Sequence, residues 1–167
     1  MVLRLRALPA ALALCALIAP AGLLAQGAAV NFSGVKVDTA QPIEVTSDQL
    51  SVNQSDGVAI FTGNVIVIQG EMRLTAPEVQ VNYVQGAAGK IETIHALGGV
   101  TLVSANEAAE GREALYTVAN DTVVFTGDVL LTQTGNTVAG DLLTVNIKEG
   151  TGRMEGRVRT ILQTGQP

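Results

Sequence analysis

Beyond the first 40 residues, apolar and polar side chains alternate in short bursts. "VQVNY" at 79–83 sets Val79, Val81 and Tyr83 on one side and Gln80 and Asn82 on the other. "LTVNIK" at 143–148 repeats this, with Leu143, Val145 and Ile147 opposite Thr144, Asn146 and Lys148. A period of two marks a strand with one dry face and one wet face. After residue 25, no segment offers ten residues of helical period free of glycine, so the pattern predicts an all-β chain. The runs are four to seven residues long and are bounded by Gly, Asn and Asp, which predicts many short strands separated by turns.

Two signatures recur in alternation along this pattern. One is a polar corner followed by an alternating run: "SDQLSV" at Ser47, "APEVQV" at Ala76, "REALYTV" at Arg112 and "GDLLTV" at Gly140. The other is a glycine followed by an apolar run: "GNVIVI" at Gly63, "GGVTLV" at Gly98, "GDVLLT" at Gly127 and "GRVRTI" at Gly156. The corners Asp48, Pro77, Glu113 and Asp141 are 29, 36 and 28 residues apart; Gly63, Gly99, Gly127 and Gly156 are 36, 28 and 29 apart. Four units of 28–36 residues therefore cover 43–163, and the longer one carries about seven extra residues near "NYVQGAAGKIETIHALGG". The glycines read as turns or bulges that need positive φ or lack room for a Cβ, because no helix start follows them to cradle a phosphate.

Composition supports this reading. The chain has 167 residues, 47% hydrophobic but only 3% aromatic, with 18 glycines and no tryptophan, which suits short strands built on Val, Ile, Leu and Thr. Its opening is different. "MVLRLRALPAALALCALIAPAGLLAQ" runs from Arg4 and Arg6 through an apolar core to small residues, the layout of a secretory signal peptide. We expect residues 1–25 to be removed, 26–40 to be a flexible segment, 41–163 to form the domain and 164–167 a tail. The one cysteine, Cys15, lies in the leader, so the remaining chain has no disulfide. Its net charge moves from −5 to −7, because residues 1–25 hold two basic and no acidic residues. That balance disfavours nucleic acid as a partner.

Chemistry-bearing clusters are sparse. His95 is the single histidine, so neither an ordinary zinc site nor a serine–histidine nucleophile system is indicated, and it reads as a surface or turn residue. The carboxylates fall mostly at corners, where they are ordinary turn and edge residues. No catalytic residue, metal ligand or cofactor is expected.

"QPIEVTSDQLSV" at Gln41, with "FTGNVIVIQG" at Phe61 and "VVFTGDVLLTQ" at Val123, resembles the periplasmic lipopolysaccharide-transport bridge proteins, the LptA/OstA-like family. The resemblance covers about 41–163. It implies a half-open, twisted antiparallel β-jellyroll whose apolar groove holds the acyl chains of lipopolysaccharide. It also implies head-to-tail self-association, an inner-membrane-anchored partner of similar fold, and an outer-membrane assembly protein. The resemblance places Ile43, Val45, Leu102, Tyr116 and Val118 inside the groove. Parity adds Val65, Val67, Leu74, Val79, Val81, Val129, Leu131, Leu143 and Val145, with Thr132 marking the wet side of "VLLT". Plain core packing would give the same parity. A secreted structural or adhesive β-solenoid with parallel coils remains an alternative, as does a carbohydrate-acting β-helix with an essential carboxylate pair.

Overall fold

The computed structural model describes residues 28–31, 40–87, 89–105 and 107–163. The expected signal peptide, most of the segment 26–40 and the tail 164–167 lie outside them. Eleven strands form one sheet: β1 (Ala28–Asn31), β2 (Glu44–Thr46), β3 (Gln49–Asn53), β4 (Val58–Gln69), β5 (Met72–Tyr83), β6 (Ile91–Ser104), β7 (Glu107–Thr117), β8 (Thr122–Gln133), β9 (Asn136–Asn146), β10 (Thr151–Glu155) and β11 (Arg159–Ile161). Every pairing is antiparallel, which is incompatible with the parallel coils of a solenoid.

The short strands expected from the sequence are in fact long. β4 to β9 run 11–14 residues each, and the glycines read as turns or bulges lie within them or beside them, at bulges. Register slips at Thr62/Val65, Thr75/Glu78, Leu97/Val100, Glu110/Glu113 and Thr126/Val129 align into one line across the sheet. At this line β4 to β9 bend, and the sheet folds over into two leaves. The true hairpin turns lie at the strand ends, as at Gly70-Glu71 and Thr134-Gly135, two-residue connections of the kind that twisted hairpins favour.

The two recurring signatures turn out to be the two sides of this fold line. Both residues of Gly63-Asn64, Gly98-Gly99, Gly127-Asp128 and Gly156-Arg157 have positive φ, which re-aims the strand. A Cβ on Gly63 would meet Asp48, one on Gly98 would meet Pro77, one on Gly127 Arg112 and one on Gly156 Asp141. Each corner residue therefore fills the space its partner glycine leaves. At three of the four, the residue after the glycine then binds that corner: Asn64 Nδ2 donates to Asp48 (2.8 Å), while Arg112 pairs with Asp128 (3.1 Å) and Arg157 with Asp141 (3.0 Å). The third corner contact falls on Arg112 rather than Glu113.

Pairing traces each leaf separately. In the aliphatic leaf, β2 pairs with 66–68 of β4, and the ladder continues to β11 on 137–139 of β9. In the aromatic leaf, β3 pairs with 58–62 of β4, and the ladder continues through 142–146 of β9 to β10. β1 then adds a further strand outside β10. Ala28–Asn31 thus depart from the flexible segment expected for 26–40. The alternation there is too short to be read as a strand, and pairing to the open edge of β10 supplies what local sequence does not.

Candidate functional site: the apolar interior between the leaves

The inward faces of both leaves are lined by rows that cross the strands. In the aliphatic leaf, register carries one row from Val45 through Val67, Leu74, Leu102, Ala109 and Leu131 to Val138. In the aromatic leaf, Leu50 leads through Phe61, Val79, Ala96, Ala114, Phe125 and Leu143 to Met154 and Ala28. A second row runs there from Val52 through Ala59, Val81, Ile94, Tyr116, Val123 and Val145 to Gly152 and Val30. Alternation puts one residue of each strand into each row, so the period of two in the chain becomes a continuous surface at right angles to it.

The fourteen residues assigned to the groove from the sequence all lie in or against the buried apolar cluster. Val65, Val67, Leu74, Val79, Val81, Leu102, Tyr116, Val129, Leu131, Leu143 and Val145 are buried, whereas Ile43, Val45 and Val118 are half-buried against the same cluster. Ala59, Phe61, Met72, Ile94, Ala109, Val123, Phe125, Val138 and Met154 share this interior and were missed. Parity would have reached several of them. Val123 and Phe125 alternate with Val124 and Thr126, as Val129 alternates with Leu130. Ala109 and Ala96 offer too little apolar signal to stand out.

The leaves approach each other across a cavity of about 30 Å³ lined by Ile43, Val67, Met72 and Leu74 of one leaf and Ile94, Tyr116 and Val123 of the other. That is room for a water molecule or two.

Where the strand ends of the two leaves meet, the lining changes character. The aliphatic leaf brings in Gln69, Ser104 and Glu107, all buried. Gln69 Nε2 donates to the carbonyl of Gln41 (3.0 Å), and Gln133 Nε2 donates to Glu107 Oε1 (3.0 Å). Facing Gln69 across a shallow opening are Tyr116, Val118, Asp121 and Lys90. Burial, with Asp121 beside it accepting its hydrogen bond, pushes the Tyr116 phenol up to about 12. These polar groups line the seam, with the apolar rows behind it.

His95 points out of the sheet from β6 and meets Glu113 Oε2 at 3.3 Å, a surface position. Among the described residues, no group of three His, Cys, Asp or Glu side chains could hold a metal ion.

Comparison with known proteins fits this architecture. The family model for the LptA/(LptD N-terminal domain) LPS transport protein matches residues 44–151. The chain belongs to this family. Lipopolysaccharide export system protein LptA of Escherichia coli (strain K12) is 36% identical over 128 residues, spanning 73% of this chain and 69% of LptA. An uncharacterized protein of Rhizobium meliloti (strain 1021) is 32% identical over 146 residues, 81% of this chain and 78% of that protein. The crystal structure of LptH, the LptA-homologous periplasmic component of the lipopolysaccharide transport device of Pseudomonas aeruginosa, superposes with a TM-score of 0.68 at 22% identity. That match covers 76% of this chain and 99% of LptH, and the shared fold is the folded-over antiparallel sheet, open at both edges.

Proposed function

We propose that this chain carries lipopolysaccharide through the periplasm as one piece of a protein bridge from the inner to the outer membrane. Its acyl chains would lie along the interior rows. The observation that carries this reading is the row from Leu50 to Met154, which crosses eight strands of the aromatic leaf without one polar side chain. At about 4.8 Å per strand it extends about 34 Å from edge to edge. Exposing one acyl chain to water costs about 10 kcal/mol, at about 0.8 kcal/mol for each of more than ten methylenes. A lining that offers the same weak contact at every strand offsets that cost without creating a trap. A carrier of this kind needs no catalytic group, and its work is done by surface alone.

Transfer along a bridge requires the lining to continue into the next molecule. Leu50 and Val52 support this, because they head the two aromatic-leaf rows at one sheet edge and remain 56% and 59% exposed. Ile161 and Leu162 are exposed at the opposite edge. Such edges suit head-to-tail pairing with further copies, with an inner-membrane-anchored partner of similar fold, and with the outer-membrane assembly protein. The leader at 1–25 would deliver the chain to the periplasm and be cleaved.

Photocrosslinking in cells tests the lining. A photoreactive residue at Val45 or Tyr116 is expected to capture lipopolysaccharide, and one at Leu115, exposed on the outer face, to capture none. Capture at Leu115 with none at the two inward positions would overturn the assignment.

A further inference from the structure

The two sheet edges do not match, and the mismatch comes from β1. At the β2/β3 edge, each leaf ends one strand beyond β4: β2 in the aliphatic leaf and β3 in the aromatic leaf. At the other edge, the aliphatic leaf ends one strand beyond β9, at β11, whereas the aromatic leaf extends two strands, β10 and then β1. One edge is flush, and the other carries a step of one strand spacing, about 4.8 Å. A second copy set flush on this edge meets β1 before its aliphatic leaf reaches β11.

Strand polarity points the same way. Neighbours alternate in direction across the aromatic leaf from β3 to β1, so β10 runs opposite to β3, while β1 runs with it. A copy stacked in the same orientation would lay its β3 parallel to β1, a less stable pairing that breaks the ladder. Laid on β10 instead, its β3 is antiparallel, and its β2 is antiparallel to β11 at the same level. Without β1, both leaves continue across the joint.

The side chains complete the correspondence. β1 turns Ala28 and Val30 toward the interior, opposite Met154 and Gly152, at a spacing of two. β3 turns Leu50 and Val52 inward at the same spacing and in the same direction. β1 therefore occupies β10 as a small-residue stand-in for a β3 strand, and it keeps Met154 fully buried in the single molecule. The larger side chains of β3, now exposed, would be covered by the exchange.

We infer that the edge of β10 beneath β1 is the docking site for β3 of a second copy of this chain, and that β1 is a removable guard over it. Docking seats Leu50 beside Met154, Val52 beside Gly152 and Ser51 beside Arg153. This rests on the end-to-end reading proposed above and adds to it where the joint forms and what must leave first.

Ala29 and Arg153 face each other in register on the exposed outer side, and the chain after residue 25 has no cysteine. An Ala29→Cys/Arg153→Cys disulfide would therefore pin β1 in place. Sedimentation velocity of the chain from Gln26 is run on three forms: unmodified, pinned, and lacking 28–31. The unmodified chain is expected to form concentration-dependent rods. Pinning is expected to hold it at single-copy size until dithiothreitol is added, and deletion to lower the half-assembly concentration about tenfold. Rods formed equally well by the pinned chain would overturn the guard and leave end-to-end assembly standing. A chain that stays single in the unmodified and deleted forms alike would overturn end-to-end assembly itself. As a check on register, mixing Ser51→Cys with Arg153→Cys copies is expected to give a disulfide dimer on oxidation, and its absence under conditions where rods form would overturn the β3–β10 joint.

Discussion

The two leaves are built from the same strands and differ in what they turn inward. All four described aromatic residues, Phe61, Tyr83, Tyr116 and Phe125, belong to the aromatic leaf, where Phe125 lies beside Leu143 in register and is fully buried. The aliphatic leaf meets it with Val, Leu, Met and Ala, then finishes in the polar row of Gln69, Ser104 and Glu107. Rings are stiff and hard to replace once removed. Small aliphatic neighbours shift more easily into space. On the carrier reading proposed above, the difference implies a division of labour in which the aromatic leaf keeps its shape while the aliphatic leaf moves away from it to admit a chain.

Matched truncations put that division at risk. Leu143 and Leu131 are both fully buried, one between Phe125 and Met154 and the other between Ala109 and Val138. Leu143→Ala is expected to lose about 4 kcal/mol and Leu131→Ala about 2 kcal/mol in urea unfolding, since cost rises where a site cannot collapse. Equal losses would remove the distinction between the leaves. The fold line joining them comes next. Gly127→Ala must hold φ at +80° and displace Arg112, so a loss of about 2 kcal/mol is expected, against little change for Glu71→Ala on an exposed turn.

The smallest effect is confined to alkaline pH. The folded chain keeps the Tyr116 proton up to about pH 12, whereas the unfolded chain releases it near 10. Between these values the folded state binds more protons, so stability falls as pH rises, and below pH 10 the group adds no pH dependence. Tyr116→Phe should flatten that decline in unfolding midpoints measured from pH 9 to 12. Parallel declines in the two proteins would mean that the phenol is not buried beside Asp121.

The inward rows were legible because a strand's period of two survives any change in strand length, so Val79, Val81, Leu143 and Val145 were found without knowing which strands they join. The fold line was visible as a repeat of glycines read as turns or bulges, and the structure makes them bulges. A Gly-x pair with two positive φ values serves a hairpin turn and a mid-strand bend equally well, and the choice is made by a corner residue 15 to 21 positions earlier. The polar seam escaped notice for a similar reason: Gln69 and Glu107 look like turn residues, and only the closure of one leaf on the other buries them. β1 was illegible because Ala28 and Ala29 carry almost no pattern.

The glycine-and-corner device has a consequence for how such a molecule changes size. Each hairpin carries its own crease, so a hairpin inserted or lost as a whole leaves every remaining crease aligned. The protein is graduated like a folding ruler, in steps of two strands or about 10 Å. A gap between two fixed anchors could then be matched by changing the number of graduations, with no need to redraw any one of them.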